Sequence, residues 1–149
     1  MKINDFLSKM WNDYSNLNPH INRVLNLIKD KEHNDIINDH IALRTFNHKR
    51  VNRHVLSNYF IENGYRAIED LSFTQKKLKA TYYLHPNPTL PRIFISELLL
   101  ENFSDELQKI INDKVNEIDL ESISKADFLS SGIDYPVRKI LYYHLEVQI

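Results

Sequence analysis

The chain has 149 residues, 42% of them hydrophobic and 26% charged, which is one domain's worth of ordinary globular protein and excludes a fibrous or wholly disordered chain. Nineteen Lys and Arg against 20 Asp and Glu leave a net charge of −1, so no strongly basic face for nucleic acid is expected. There are no cysteines and two glycines, which excludes disulfides, iron–sulfur clusters, thiolate zinc sites and Gly-rich phosphate loops. The N-terminus has no signal-peptide pattern and no segment approaches about 18–20 uninterrupted apolar residues, so no membrane span is expected and the cytoplasm is the expected location.

Ile3, Phe6, Leu7, Met10, Trp11, Tyr14 and Leu17 recur at helical spacing and predict a first amphipathic helix. Asn18-Pro19 reads as a restart, with Asn as the cap and Pro in the first turn, and Ile21, Val24, Leu25 and Ile28 carry a second helix. Lys29 to Asp35 reads as a charged connector. The stretch Asp39-His40-Ile41-Ala42-Leu43-Arg44-Thr45-Phe46 is short, apolar-rich and bounded by Asn38 and Asn47, which predicts a strand. A helix from about His48 to Asn63 follows, with Val51, Val55, Tyr59 and Phe60 inward and Gly64 at a left-handed C-cap. Tyr65–Glu69, Lys77–Leu84 and Arg92–Leu98 predict three more strands. Between the last two, three prolines in seven residues require a loop. Ser104 caps a last helix carrying Leu107, Ile110, Ile111, Val115 and Ile118. The signal fades after Leu120.

These elements predict an α+β fold in a single domain, 1–149. A helical pair occupies 1–36, one βαβββ module 37–100, and a helix with an irregular tail 101–149. A βαβββ unit makes a curved open sheet with a helix on one side. Whether the N-terminal helices fill its other face is left open by the sequence.

Seven histidines raise the question of a metal. His20, His33, His48 and His54 read as solvated, His85 starts the Pro-rich loop, and His144 lies in the tail. None makes a helical His-x-x-x-His pair. His40 differs, because it opens a strand directly after Asp39. Alternation puts His40, Ala42, Arg44 and Phe46 on one face and Ile41, Leu43 and Thr45 on the other. An arginine in such a strand needs an anionic partner, either an internal Asp or Glu or a substrate carboxylate held bidentately. Glu97 sits in an apolar strand and must be paired, protonated or metal-bound, unless it turns to solvent at the strand end. On the same face as His40 it would be a second ligand candidate. His48-Lys49-Arg50-Val51-Asn52-Arg53-His54 is a small basic patch that reads as a solvated helix start rather than a phosphate site.

Asn38-Asp39-His40-Ile41-Ala42-Leu43-Arg44-Thr45-Phe46, Gly64-Tyr65, Lys76-Lys77-Leu78-Lys79-Ala80 and Pro91-Arg92-Ile93-Phe94-Ile95-Ser96-Glu97-Leu98 together resemble the 2-oxoadipate dioxygenase/decarboxylase family, from the Trp11/Tyr14 helix to about Ser131. The resemblance implies a vicinal-oxygen-chelate-like fold with two βαβββ modules facing each other across a metal cleft. It implies iron(II) held by two histidines and one glutamate, and conversion of 2-oxoadipate and dioxygen to 2-hydroxyglutarate and CO₂ in lysine catabolism. It assigns a metal-ligand role to His40 and an oxo-acid contact to Arg44, leaving Glu97 a weaker metal candidate. Members of the family are longer, and their second module supplies the remaining ligands. The tail here, with His144 and Glu146, does not read like that continuation, so a truncated or frame-shifted product is expected, with half a site. Activity would then need a homodimer or a complementary second-half chain. The alternative is a non-catalytic member that binds or self-associates through its open sheet face.

Overall fold

The computed structural model describes residues 2–32 and 38–119. In chain order these form α1 (Ile3–Leu17), α2 (His20–Glu32), β1 (His40–Phe46), α3 (Arg53–Glu62), β2 (Arg66–Phe73), β3 (Leu78–Leu84), β4 (Arg92–Leu98) and α4 (Asp105–Asn116), with 3-10 turns at Thr74–Lys76 and Leu100–Asn102. His33, His144, Glu146 and the tail lie outside the described residues.

Local signals explain most boundaries. Asn18 sits between the two helices, its carbonyl accepting from the Ile21 amide of α2 at 2.9 Å. It closes α1, donating from both its backbone and its side-chain amide to the Tyr14 carbonyl at 3.0 Å. The helix then restarts at His20 and runs through Lys29–Glu32, where the charged residues had suggested a connector. Charge alone does not break a helix when no Gly or Pro interrupts it. α3 starts at Arg53 rather than His48, because the Asn52 side chain accepts from the His54 and Val55 amides at 3.1 and 3.0 Å. At its other end Gly64 has φ +96°, and the Tyr65 amide reaches back to the Phe60 carbonyl at 3.0 Å, a Schellman closure. Ser104 caps α4 as expected.

The four strands form one sheet in the order β1-β4-β3-β2, with β1 parallel to β4 and the other pairs antiparallel. β2 is longer than Tyr65–Glu69 suggested and carries a register shift between Ala67 and Glu69. As an edge strand exposed along most of its length, it offers little alternation to read.

One face of the sheet is covered. Ile93 and Ile95 of β4 and Tyr83 of β3 are buried in one cluster with Phe6 and Met10 of α1, Leu56 and Phe60 of α3, and Ile111 and Val115 of α4. The Phe6 ring lies 4.4 Å from Tyr59 and 5.9 Å from Phe60, centre to centre, so α1 packs onto α3 and adds to the helical layer. The N-terminal helix therefore thickens the covered side and leaves the opposite face of the sheet open. Phe46 departs from simple alternation: it sits at the strand end, is 3% exposed and belongs to the core.

Candidate functional site

The open face is built from alternate residues of β1 and β4. Register pairs His40 with Arg92, Ala42 with Phe94, and Arg44 with Ser96. Tyr82 of β3 lies opposite Phe94 and extends the same floor. These residues, with Asp39, Leu43, Phe73, Lys76 and Leu78, line a cleft of about 440 Å³. Its middle is apolar and aromatic, and its charges sit toward the two ends.

At one end His40 Nδ1 lies 3.4 Å from Asp39 Oδ2, and Arg92 Nη1 approaches the same oxygen at 3.7 Å. A proton on Nδ1 shared with Asp39 leaves Nε2 as the nitrogen with a free lone pair, the usual arrangement behind a metal-binding histidine. Further along the strand is Arg44. Its Nε is buried and has no hydrogen-bond partner, and among the described residues no carboxylate pairs with its guanidinium. Of the two partners the sequence allowed, no internal acid among these residues takes the role. A buried guanidinium nitrogen without an acceptor is costly, which favours a ligand anion there.

Glu97 does not join His40. Register sets it beside Thr45, on the covered face. There its carboxylate accepts the Arg53 backbone amide at 2.9 Å and ion-pairs with the Arg53 guanidinium. The Arg53 Nε donates to Thr81 Oγ1 at 2.8 Å, and Thr81 Oγ1 donates to Asp70. The Thr81 hydroxyl and the Arg53 cation both hold the Asp70 carboxyl below its usual range, the hydrogen bond contributing most. Of the states open to a carboxylate in an apolar strand, Glu97 is the paired one, and its pairing ties α3 to the sheet.

Within the basic patch Lys49 and His54 are exposed as expected, whereas Arg50 and Arg53 make structural contacts. The Arg50 guanidinium donates to the Asn116 carbonyl at 3.2 Å and to the Ile118 carbonyl, so it caps the end of α4. His48 is half-buried; burial, then Arg50 and Lys49, push its imidazole below the ordinary value. His85 packs edge-on against Tyr65, ring centres 5.1 Å apart, and its Nδ1 accepts from the Asn87 amide at 2.9 Å. His20 and His54 are exposed. Among the described residues no three His, Asp or Glu side chains come together as a metal site. Coordination of iron(II) by two histidines and a carboxylate is therefore not met by these residues alone.

Sequence reading did not single out Asp39, Phe73, Lys76, Tyr82 or Arg92 as cleft residues. Alternation within β3 and β4 could have placed Tyr82 and Arg92. Lys76 sits in a turn, where no periodicity applies.

A four-stranded mixed sheet with helices on one face and an open, polar-ended cleft on the other is one module of the vicinal-oxygen-chelate kind. A protein from Ralstonia eutropha described within the glyoxalase superfamily has the same fold, with a TM-score of 0.54 at 16% identity over 68% of this chain and 36% of that one. Residues 6–129 match the family model of the 2-oxoadipate dioxygenase/decarboxylases, and the chain belongs to that family. The chloroplastic 2-oxoadipate dioxygenase/decarboxylase of Arabidopsis thaliana is 34% identical over 116 residues, 70% of this chain and 31% of that protein. The Oryza sativa hydroxyglutarate synthase, solved in complex with 2-oxoadipate, superposes with a TM-score of 0.70 at 33% identity, over 75% of this chain and 39% of that one. A Shewanella frigidimarina structure gives 0.80 at 40% identity, over 86% and 50%. The chain thus spans about a third of the length of the curated relatives it matches. No helix of the described residues is long and apolar enough to cross a membrane.

Proposed function

We propose that this chain carries the first half of an oxidative decarboxylase site for a 2-oxo diacid, with 2-oxoadipate as the substrate. The observation that carries the reading is Arg44, a partly buried guanidinium with an unpartnered Nε in a cleft on the same strand face as His40. The relatives' names supply the reaction class, dioxygenase and decarboxylase action on 2-oxoadipate; in this reading 2-oxoadipate and dioxygen give 2-hydroxyglutarate and CO₂, which balances, as a step of lysine catabolism.

In this reading Arg44 holds a substrate carboxylate. Four strand residues separate it from His40, or about 13 Å along the backbone at about 3.3 Å per residue, and both side chains reach inward over a six-carbon diacid. Phe94 and Tyr82 flank the methylene chain. Asp39 and Arg92 keep His40 facing the cleft. Iron(II), when bound, supplies the activation of dioxygen; His40 is the donor this half contributes, and the rest of the set comes from a second module.

The test is oxygen uptake with iron(II) and 2-oxoadipate, for the chain alone and mixed with the second half of a longer relative. The chain alone is expected to stay at the iron background. The mixture is expected to consume oxygen and release 2-hydroxyglutarate and CO₂, and to lose both in His40→Ala and Arg44→Gln. Turnover by the monomeric chain alone would contradict the half-site. A well-folded chain that neither binds oxo-acids nor complements, but self-associates, would favour a non-catalytic binding module.

A further inference from the structure

Lys76 is a second cation of the same cleft that the reading above leaves without work. It lies in the 3-10 turn between β2 and β3, exposed, and lines the cleft together with Arg44, Phe73, Leu78 and Ser96. The sheet register fixes which end this is. From His40 and Arg92, successive cross-strand rows on the open face run through Ala42–Phe94–Tyr82 and Arg44–Ser96–Ala80, and then reach the Leu78–Phe73 pair that borders the turn. Lys76 therefore stands beyond Arg44 as seen from His40.

Among the described residues neither cation has an acidic partner. Arg92, at the opposite end, does, since Asp39 lies 3.7 Å away. Net positive charge is thus concentrated at the end of the cleft remote from His40. The next residue shows that the turn is held in place. Lys77 adopts φ +54°, a left-handed conformation that costs a non-glycine roughly 1–2 kcal/mol. Its ammonium donates to the Asn102 carbonyl at 2.7 Å and lies 4.8 Å from the centre of the Phe103 ring. Lys77 is anchored to the 3-10 turn after β4, while Lys76 is left on the cleft.

We propose that Lys76 acts with Arg44 as the receptor for the carboxylate remote from the oxo group, and so selects 2-oxo diacids over 2-oxo monoacids. This rests on the site reading given above. A monoacid of the same length would place an apolar methyl between two cations, leaving both without an anion.

The experiment measures ligand-observed NMR affinities of the full chain, without metal, for 2-oxoadipate and for 2-oxohexanoate, which differs by the missing terminal carboxylate. The wild-type chain is expected to prefer the diacid. Lys76→Gln is expected to weaken 2-oxoadipate binding about two- to fivefold, the range of a solvent-exposed ion pair, and to leave 2-oxohexanoate unchanged. Lys76→Arg is expected to restore the preference. Because Lys76 is exposed, its substitution leaves the fold intact, which the amide spectrum checks. An unchanged diacid preference in Lys76→Gln, with 2-oxoadipate still bound, overturns the role of Lys76 alone. Equal weakening of both acids overturns it too, as a loss of general cleft structure. No binding of 2-oxoadipate by the wild-type chain overturns the site reading and this inference with it.

Discussion

Glu97 on the covered face of the sheet is paired, whereas Arg44 on the open face has an unpartnered Nε. Glu97 and Arg53 are 6% and 12% exposed at the side chain, and each satisfies the other. Truncating one partner of such a pair strands the second and costs about 3–5 kcal/mol. Glu97→Ala is therefore expected to lower the urea midpoint strongly, while a folded fraction at low temperature keeps its affinity for 2-oxoadipate. Loss of affinity without loss of stability would instead make Glu97 a site residue. Tyr65 gives a pH signature. It is 2% exposed, its hydroxyl donates to the Pro91 carbonyl at 2.9 Å, and burial pushes its pKa up to about 12. The unfolded chain loses that proton near pH 10, before the folded one does. Stability from Tyr65 is thus full below about pH 10 and falls as pH rises toward about 12. Alkaline denaturation followed by circular dichroism is expected to show this slope, and Tyr65→Phe to flatten it.

At the scale of elements, the sequence was most legible where one physical signal decides the outcome. β4 was expected at Arg92–Leu98 and is found there, because the Pro-rich loop fixes its start and its apolar alternation fixes its length. The β1 face assignment holds for His40, Ala42 and Arg44, which line the cleft, and fails at Phe46, which joins the core at the strand end. Two signals were ambiguous. Arg53 reads as a solvated residue in a basic run, because its partner Glu97 is 44 residues away and no local pattern links them. Glu97 was left open for the same reason, since its face follows from strand register across β1, β3 and β4 rather than from its neighbours. Lys76 was passed over because a turn has no period. Gly64 was readable and is testable: a Cβ there would lie 2.8 Å from His85 Nε2, at φ +96°. Gly64→Ala is expected to cost roughly 1–2 kcal/mol, read as a lower urea midpoint with an unchanged slope. A neutral result would mean that neither the helix closure nor the His85 contact constrains this corner.

For the whole molecule, the distribution of helices is what makes a site. α1, α3 and α4 all contribute to one core, so the other face of the sheet is free to carry His40, Arg44 and the aromatic floor. The fold class was legible because βαβββ order has few topologies. The direction in which the N-terminal helix packs was not, because an amphipathic stripe shows that a helix is covered and not by what. The family relation places this module beside longer proteins, of which it spans about a third. The most direct measurement of the central claim is a residue-by-residue amide-shift map of the isotope-labelled chain titrated with 2-oxoadipate. Shifts are expected only on the open face, at His40, Ala42, Arg44, Phe94 and Ser96, and are expected to be lost in Arg44→Gln. Shifts confined to the helical face, or none at millimolar ligand, would contradict that claim.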